Sequence, residues 1–166
     1  MRTETITLRE MKIHYSTSSG NSGALVSIPA SIRRAADAAP ALVELLGTQV
    51  AEVFAILCLS TKCQPIAYHA VSRGTLDSSL VQPRDVFKAA LLANAATVLV
   101  AHNHPSGDPT PSPDDHALTR RLVMAGQLLG IPVVDHIVVG ATRWMSFRDQ
   151  GLLSRGLTAE RTLSPW

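Results

Sequence analysis

Thr97-Val-Leu-Val-Ala-His-Asn-His104 runs directly into Pro105-Ser-Gly-Asp-Pro-Thr-Pro-Ser112-Pro-Asp-Asp115. The apolar run Thr97 to Ala101 has the length of a buried strand and ends at His102-Asn103-His104. Residues 105–113 hold four prolines and one glycine, which reads as a stiff, irregular loop. Ser112 then fits a helix N-cap with Pro113 at the first helical position. Apolar spacing at Leu118, Leu122, Val123, Leu128 and Leu129 predicts a helix stopped by Gly130. Alternate residues of a strand project to one face, so His102 and His104 share a side and Asn103 points away. The proline-rich turn brings the first turn of the helix, with Asp115, back beside the strand end.

Outward from that stretch, Glu52 to Leu59 is a nearly continuous apolar run, and a second run spans Gln64 to Val71. They read as a hairpin whose first strand is buried on both faces. Pro29 to Leu46 is Ala-rich and helical in pattern, interrupted by Pro40, and predicts two short helices or one kinked one, with Gly47 as the stop. Val86, Phe87, Ala90 and Leu91 mark the inner face of a helix over about 83 to 94. Val133 to Val139 and Trp144 to Phe147 read as strands joined by a turn at Gly140 to Arg143. Helices and strands interleave as α, β, β, α, β, α, β, β, for which an α/β fold with a mixed sheet flanked by helices is the natural packing.

Composition agrees. The 166 residues suit one compact domain, and 46% hydrophobic residues with a mean hydropathy of +0.15 exclude a disordered or collagenous chain. Aromatic residues make up 4%, so the core is built from Ala, Val, Leu and Ile. Fifteen Lys and Arg against 13 Asp and Glu is too even a balance to imply a nucleic-acid partner by itself. No apolar stretch reaches the roughly 18–20 residues of a membrane span, and the polar N-terminus is unlike a secretory signal. A cytoplasmic protein without membrane contact is expected. Cys58 and Cys63 form no Cys-x-x-Cys pair, so any metal must be held by His and carboxylates. The expected organisation is a flexible arm over 1–23, one domain over 24–155 and a tail over 156–166.

Two imidazoles and one carboxylate, from His102, His104 and Asp115, have the composition of a catalytic zinc site with one position left for water. Imidazole nitrogen favours zinc, although Fe, Co, Ni and Mn accept the same set. Zinc lowers the pKa of its water to about 7, and hydrolysis further needs a base. Glu52 opens the buried strand, where desolvation would raise its pKa into a useful range. The Ser112 hydroxyl can donate to the oxyanion formed when a carbonyl is attacked. Each residue also has a plainer reading: Ser112 and Asp115 fit an ordinary capped helix start, and Glu52 an exposed strand-end acid. Isolated His14 and His69 carry no signal, and His116 reads as solvent-facing. Asp135 and His136 lie inside a strand, with His136 on the Val134 and Val138 face, either as a core histidine or as a partner of the metal ligands.

Glu52, His102-Asn-His104-Pro105, six residues, Ser112, two residues and Asp115 together resemble the signature of the JAMM (MPN-plus) metallopeptidases at every defined position. Ser72-Arg-Gly-Thr75, Pro83-Arg84, the run His102 to Pro109 and Asp135-His136 are similar to the RadC-like branch, over about Glu52 to Gly151. The resemblance implies a cytidine-deaminase-like α/β/α fold, zinc held by His102, His104 and Asp115, Glu52 as general acid/base and Ser112 as oxyanion stabiliser. Gln82 stands where many RadC-like chains have His, and Asp85 where Glu is common, so neither is given a ligand role. Residues 1–50 hold no counterpart of the helix-hairpin-helix segment of longer RadC proteins, so a short form is expected.

Two functions follow. One is a zinc metallohydrolase, with one zinc per chain, acting on a peptide or isopeptide bond in a peptide or protein substrate. The other is a DNA-repair-associated accessory protein whose metal site is structural or vestigial, for which Arg33-Arg34 and Arg120-Arg121 would be the basic groups. A structural site needs no base, so Glu52 favours the enzyme.

Overall fold

The computed structural model describes residues 28–74 and 81–153. The arm over 1–23, the tail over 156–166 and His14 lie outside the described residues. The elements follow the expected order: α1 (Ala35–Leu46), β1 (Val53–Leu59), β2 (Pro65–Arg73), α2 (Pro83–Leu92), β3 (Thr97–His104), α3 (Pro113–Leu129), β4 (Val133–Gly140) and β5 (Arg143–Ser146). The strands form one sheet in the order β2-β1-β3-β4-β5. Only β3 and β4 run parallel, joined by the α3 crossover; the other neighbours are antiparallel. The fold is α/β with three layers.

The two faces carry separate cores. On one, α2 and α3 cover Phe54, Ile56, Val98 and Val100, with Val86, Phe87, Leu118 and Leu122 as the helical contribution. On the other, α1 lays Ala35, Ala38, Leu42 and Leu46 on Leu57, Leu99, Ile137 and Val139. Both faces of β1 and β3 are therefore covered, which accounts for their unbroken apolar runs. Among the described residues no helix is long and apolar enough to cross a membrane.

Several expectations change. Pro40 does not divide the segment into two helices: α1 is a single element with Pro40 inside it, its Ala-rich face buried while Pro40 itself is exposed. The loss of one backbone hydrogen bond at Pro40 is offset by packing of its neighbours. Leu91, Leu128 and Leu129 are exposed; the buried positions of the two helices are Val86, Phe87 and Ala90 in α2, and Asp115, Leu118, Thr119, Leu122, Val123 and Gly126 in α3. The alternation through β4 is broken: Val98 pairs with Val133 but Leu99 with Asp135, so Val134 is an extra residue and packs on the α1 side, away from His136. His116 is half-buried, its ring 5.1 Å from that of Phe147.

The loop between β3 and α3 is seated on the β4 end. A Cβ at Gly140 would lie 2.4 Å from the Gly107 carbonyl oxygen and 3.0 Å from Cδ of Pro109, so only glycine admits the loop this closely. Gly140→Ala is expected to lower stability by about 1–3 kcal/mol, the usual cost of overpacking, read as a reduced midpoint in chemical denaturation. An unchanged midpoint would contradict this seating of the loop.

Candidate metal centre

The end of β3, the start of β1 and the first turn of α3 meet at one end of the sheet's inner strands. His102 and His104 point to the α3 side, as their spacing predicts, and their Nε2 atoms are 2.9 Å apart. Asp115 completes the cluster, with Oδ1 3.2 Å from Nε2 of His102 and Oδ2 3.4 Å from Nε2 of His104. The three residues form a group whose ligand atoms converge well enough to hold a metal ion. Zinc bonds of about 2.0–2.1 Å in a tetrahedron place neighbouring ligand atoms roughly 3.3 Å apart, so separations of this size fit a small divalent cation. His102 and Asp115 are buried, whereas His104 is partly exposed and forms the open side.

Asp115 is placed by the helix start. Ser112 Oγ accepts from the Asp115 amide at 3.1 Å, and Asp115 Oδ2 accepts from both the Ser112 amide and its hydroxyl at 2.7 Å. This is a capping box, and the plainer reading of Ser112 and Asp115 is geometrically correct. The same capping aims the carboxylate at the two histidines. Burial alone would push the Asp115 carboxyl up, but hydrogen bonds at His102, His104 and Ser112 outweigh it and hold the group well below the usual carboxylate range.

His104 is fixed from behind. Its Nδ1 is 2.8 Å from the Asp108 carbonyl oxygen, which can only accept, so Nδ1 carries a hydrogen and Nε2 faces the cluster. The hydrogen bond with Asp115 raises the His104 pKa above its ordinary value against the opposing effect of burial.

Glu52 precedes the first residue of β1. Phe54 lies directly across from His102 in the ladder, their rings stacked at 6.1 Å, and alternation places Glu52 on the same face. Burial raises the Glu52 pKa, with His102 and His104 opposing and Asp115 adding to the rise, so its charge is coupled to all three members of the cluster.

Three further residues stand behind the cluster, and of these local pattern offered only His136, as one of two readings. Asn103 points away from the cluster, as expected, but its Oδ1 accepts from the Val53 amide at 2.8 Å and its Nδ2 donates to the carbonyls of Gln49 and Ala51. It thereby ties the backbone on both sides of Glu52 to β3. His136 is wholly buried against Phe147 and Phe54, and its Nε2 is 2.8 Å from Nδ1 of His102. It is both a core histidine and a partner of the cluster, and burial holds its pKa well below the ordinary value. Thr119 contacts His136 from α3. Asp135, by contrast, faces the other side and accepts from Ser146 Oγ and the amides of His136 and Arg148.

Two histidines and an aspartate that could hold a metal ion, at the end of a mixed sheet between helices, are consistent with a JAB-like class of domain. A model of the RadC-like JAB domain family matches residues 32–152, and the chain belongs to that family. It is 54% identical over 103 residues to a UPF0758 protein of Symbiobacterium thermophilum, covering 62% of this chain and 44% of that one. A UPF0758 protein of Thermotoga maritima is 49% identical over 102 residues, covering 61% and 46% respectively. For one from Methanosarcina barkeri the figures are 49% over 105 residues, 63% and 46%. The matched region is less than half the length of each of these relatives.

Asn103→Ala removes three hydrogen bonds and leaves the buried Val53 amide without its acceptor. A loss of about 1–3 kcal/mol is expected in denaturant unfolding, the penalty for an unsatisfied buried donor. A variant as stable as the parent would show that the Glu52 segment is held by other means.

Proposed function

We propose that the chain is a zinc-dependent hydrolase of peptide or isopeptide bonds, with His102, His104 and Asp115 as metal ligands, Glu52 as general acid/base and Ser112 as a hydroxyl donor to the oxyanion. The observation that carries this reading is the convergence of two imidazole nitrogens and a carboxylate to separations of 2.9–3.4 Å, beside a second carboxylate whose proton affinity is raised by burial. Zinc is favoured by the nitrogen-rich donor set, and when bound it supplies Lewis acidity, lowering the pKa of water and polarising a carbonyl.

The protein's own groups do the rest. Glu52 accepts a proton from the attacking water and returns it to the leaving nitrogen; a raised pKa suits both halves of that transfer. Asp115 keeps its negative charge while facing two imidazoles, which strengthens cation binding. Ser112 presents its hydroxyl next to that carboxylate. The loop before Ser112 also borders an open cavity of about 680 Å³ with Trp144, Met145 and Leu152, room for side chains of an extended peptide.

The alternative of a DNA-associated accessory protein needs a concentrated basic surface. Arg33 and Arg34 are exposed at the start of α1, where Arg34 pairs with Asp37, and Arg120 and Arg121 are exposed on α3. The two pairs sit on helices covering opposite faces of the sheet, which supports the hydrolase reading instead.

Elemental analysis of the purified chain is expected to find about one zinc per molecule, lost in the double variant His102→Ala/His104→Ala. Full occupancy in that variant would refute the ligand assignment. In a screen of peptide and isopeptide libraries, Glu52→Gln is expected to keep its zinc and to lower the rate by roughly 10²–10⁴-fold. Hydrolysis undiminished in Glu52→Gln, or zinc occupancy without hydrolysis of any library member, would turn the reading to the accessory role. Ser112→Ala is expected to lose up to roughly 10²–10³-fold in rate. As a lost N-cap it should also lower stability by about 1 kcal/mol, separable from the rate effect by thermal melting.

A further inference from the structure

Thr119 lies one turn beyond Asp115 on α3 and is buried. Its Oγ1 is 2.6 Å from the Asp115 carbonyl oxygen and 2.6 Å from Nδ1 of His136. A carbonyl only accepts, so the single hydroxyl proton is directed at Asp115 and Oγ1 is left as an acceptor. Nδ1 of His136 must therefore carry the hydrogen of that contact. Were the hydroxyl to turn to His136, two acceptor oxygens would face each other without a proton.

The other nitrogen of His136, Nε2, is 2.8 Å from Nδ1 of His102. A second proton on His136 would bury a cation between the rings of Phe54 and Phe147, with no exposed surface. Nε2 of His136 is thus the acceptor, and Nδ1 of His102 the donor. Nε2 of His102 is left to face Asp115 Oδ1 and Nε2 of His104. The series begins at the main-chain carbonyl of Asp115 and returns to the side chain of the same residue, passing through α3, β4 and β3.

We propose that Thr119 and His136 are positioning residues that hold a hydrogen on Nδ1 of His102, so that its Nε2, the nitrogen facing Asp115 and His104, is the one presented to a cation. The Asp108 carbonyl does the same for His104 within one short loop. For His102 no carbonyl of its own loop serves, and the task falls to a side chain on the neighbouring strand, itself oriented by a helix. Which ring nitrogen holds the hydrogen is set by the bond the other makes, so removing the Thr119 hydroxyl frees both rings to turn over.

This inference rests on the metal-centre reading, but its first test does not require metal. In the ¹⁵N-labelled, metal-free full chain at about pH 8, long-range proton–nitrogen correlation is expected to show hydrogen on Nδ1 of both His136 and His102. A His102 without hydrogen on Nδ1 would overturn the proposal. Thr119→Val, nearly the same shape, is expected to mix the two forms of His102 and to weaken zinc binding by roughly 10–100-fold in competition with a chromophoric chelator. Thr119→Ser, which restores the hydroxyl, should return both readouts to near those of the parent. A Thr119→Val protein with unchanged zinc affinity and an unshifted His102 pattern would refute the proposal. If that variant does not fold, the tautomer in the parent chain decides alone. Should the parent take up no zinc, the hydrolase reading fails while the tautomer measurement still decides this inference.

Discussion

A carboxylate buried against two imidazole nitrogens is costly to maintain, and much of the surrounding structure compensates that cost. Asp115 sits in the first turn of α3, where the helix dipole favours a negative charge and the Ser112 amide and hydroxyl both donate to it. The loop from Pro105 to Pro111 must therefore be stiff, since any slack in it would release the helix start from the strand that carries the histidines. Proline supplies the stiffness, and the seat at Gly140 supplies the location.

The central strand β3 serves both faces of the sheet. One face carries the two histidines; the other carries Asn103, which organises the start of β1. Histidine–asparagine–histidine is thus a two-sided device. The same few residues arrange a cation site on one side and hold in place the backbone that carries Glu52. A change at Asn103 acts on the site through the position of Glu52 and not through the ligands.

Membership of the RadC-like JAB domain family is consistent with the α/β fold and its mixed sheet. The relatives matched here extend well beyond the shared region, so activity, substrate and partners belong to the reading proposed for this chain's own site. That proposal rests on a cluster that could hold a metal ion and on a neighbouring carboxylate, Glu52, because a purely structural site would need no base.

Much of the candidate site is legible in the amino-acid sequence. Alternation in a strand puts His102 and His104 on one side, prolines stiffen the loop, and a serine three residues before an aspartate starts a helix; each is a local rule acting over a few residues. Burial of both faces of β1 and β3 was readable for the same reason. Local rules have no means of joining positions far apart in the chain. The contact of His136 with His102 spans 34 residues, and that of Asn103 with Val53 spans 50, so both depend on which strands become neighbours. The extra residue at Val134 arises from register in the parallel pair, and the exposure of Leu91, Leu128 and Leu129 from which helix positions find a neighbour to pack on. The sequence by itself determined the ligand types, their spacing and the helix that delivers the third one. Tertiary structure alone decided which buried groups stand behind those ligands, because hydrogen-bond direction is settled only when donors and acceptors from separate elements are brought within reach of each other.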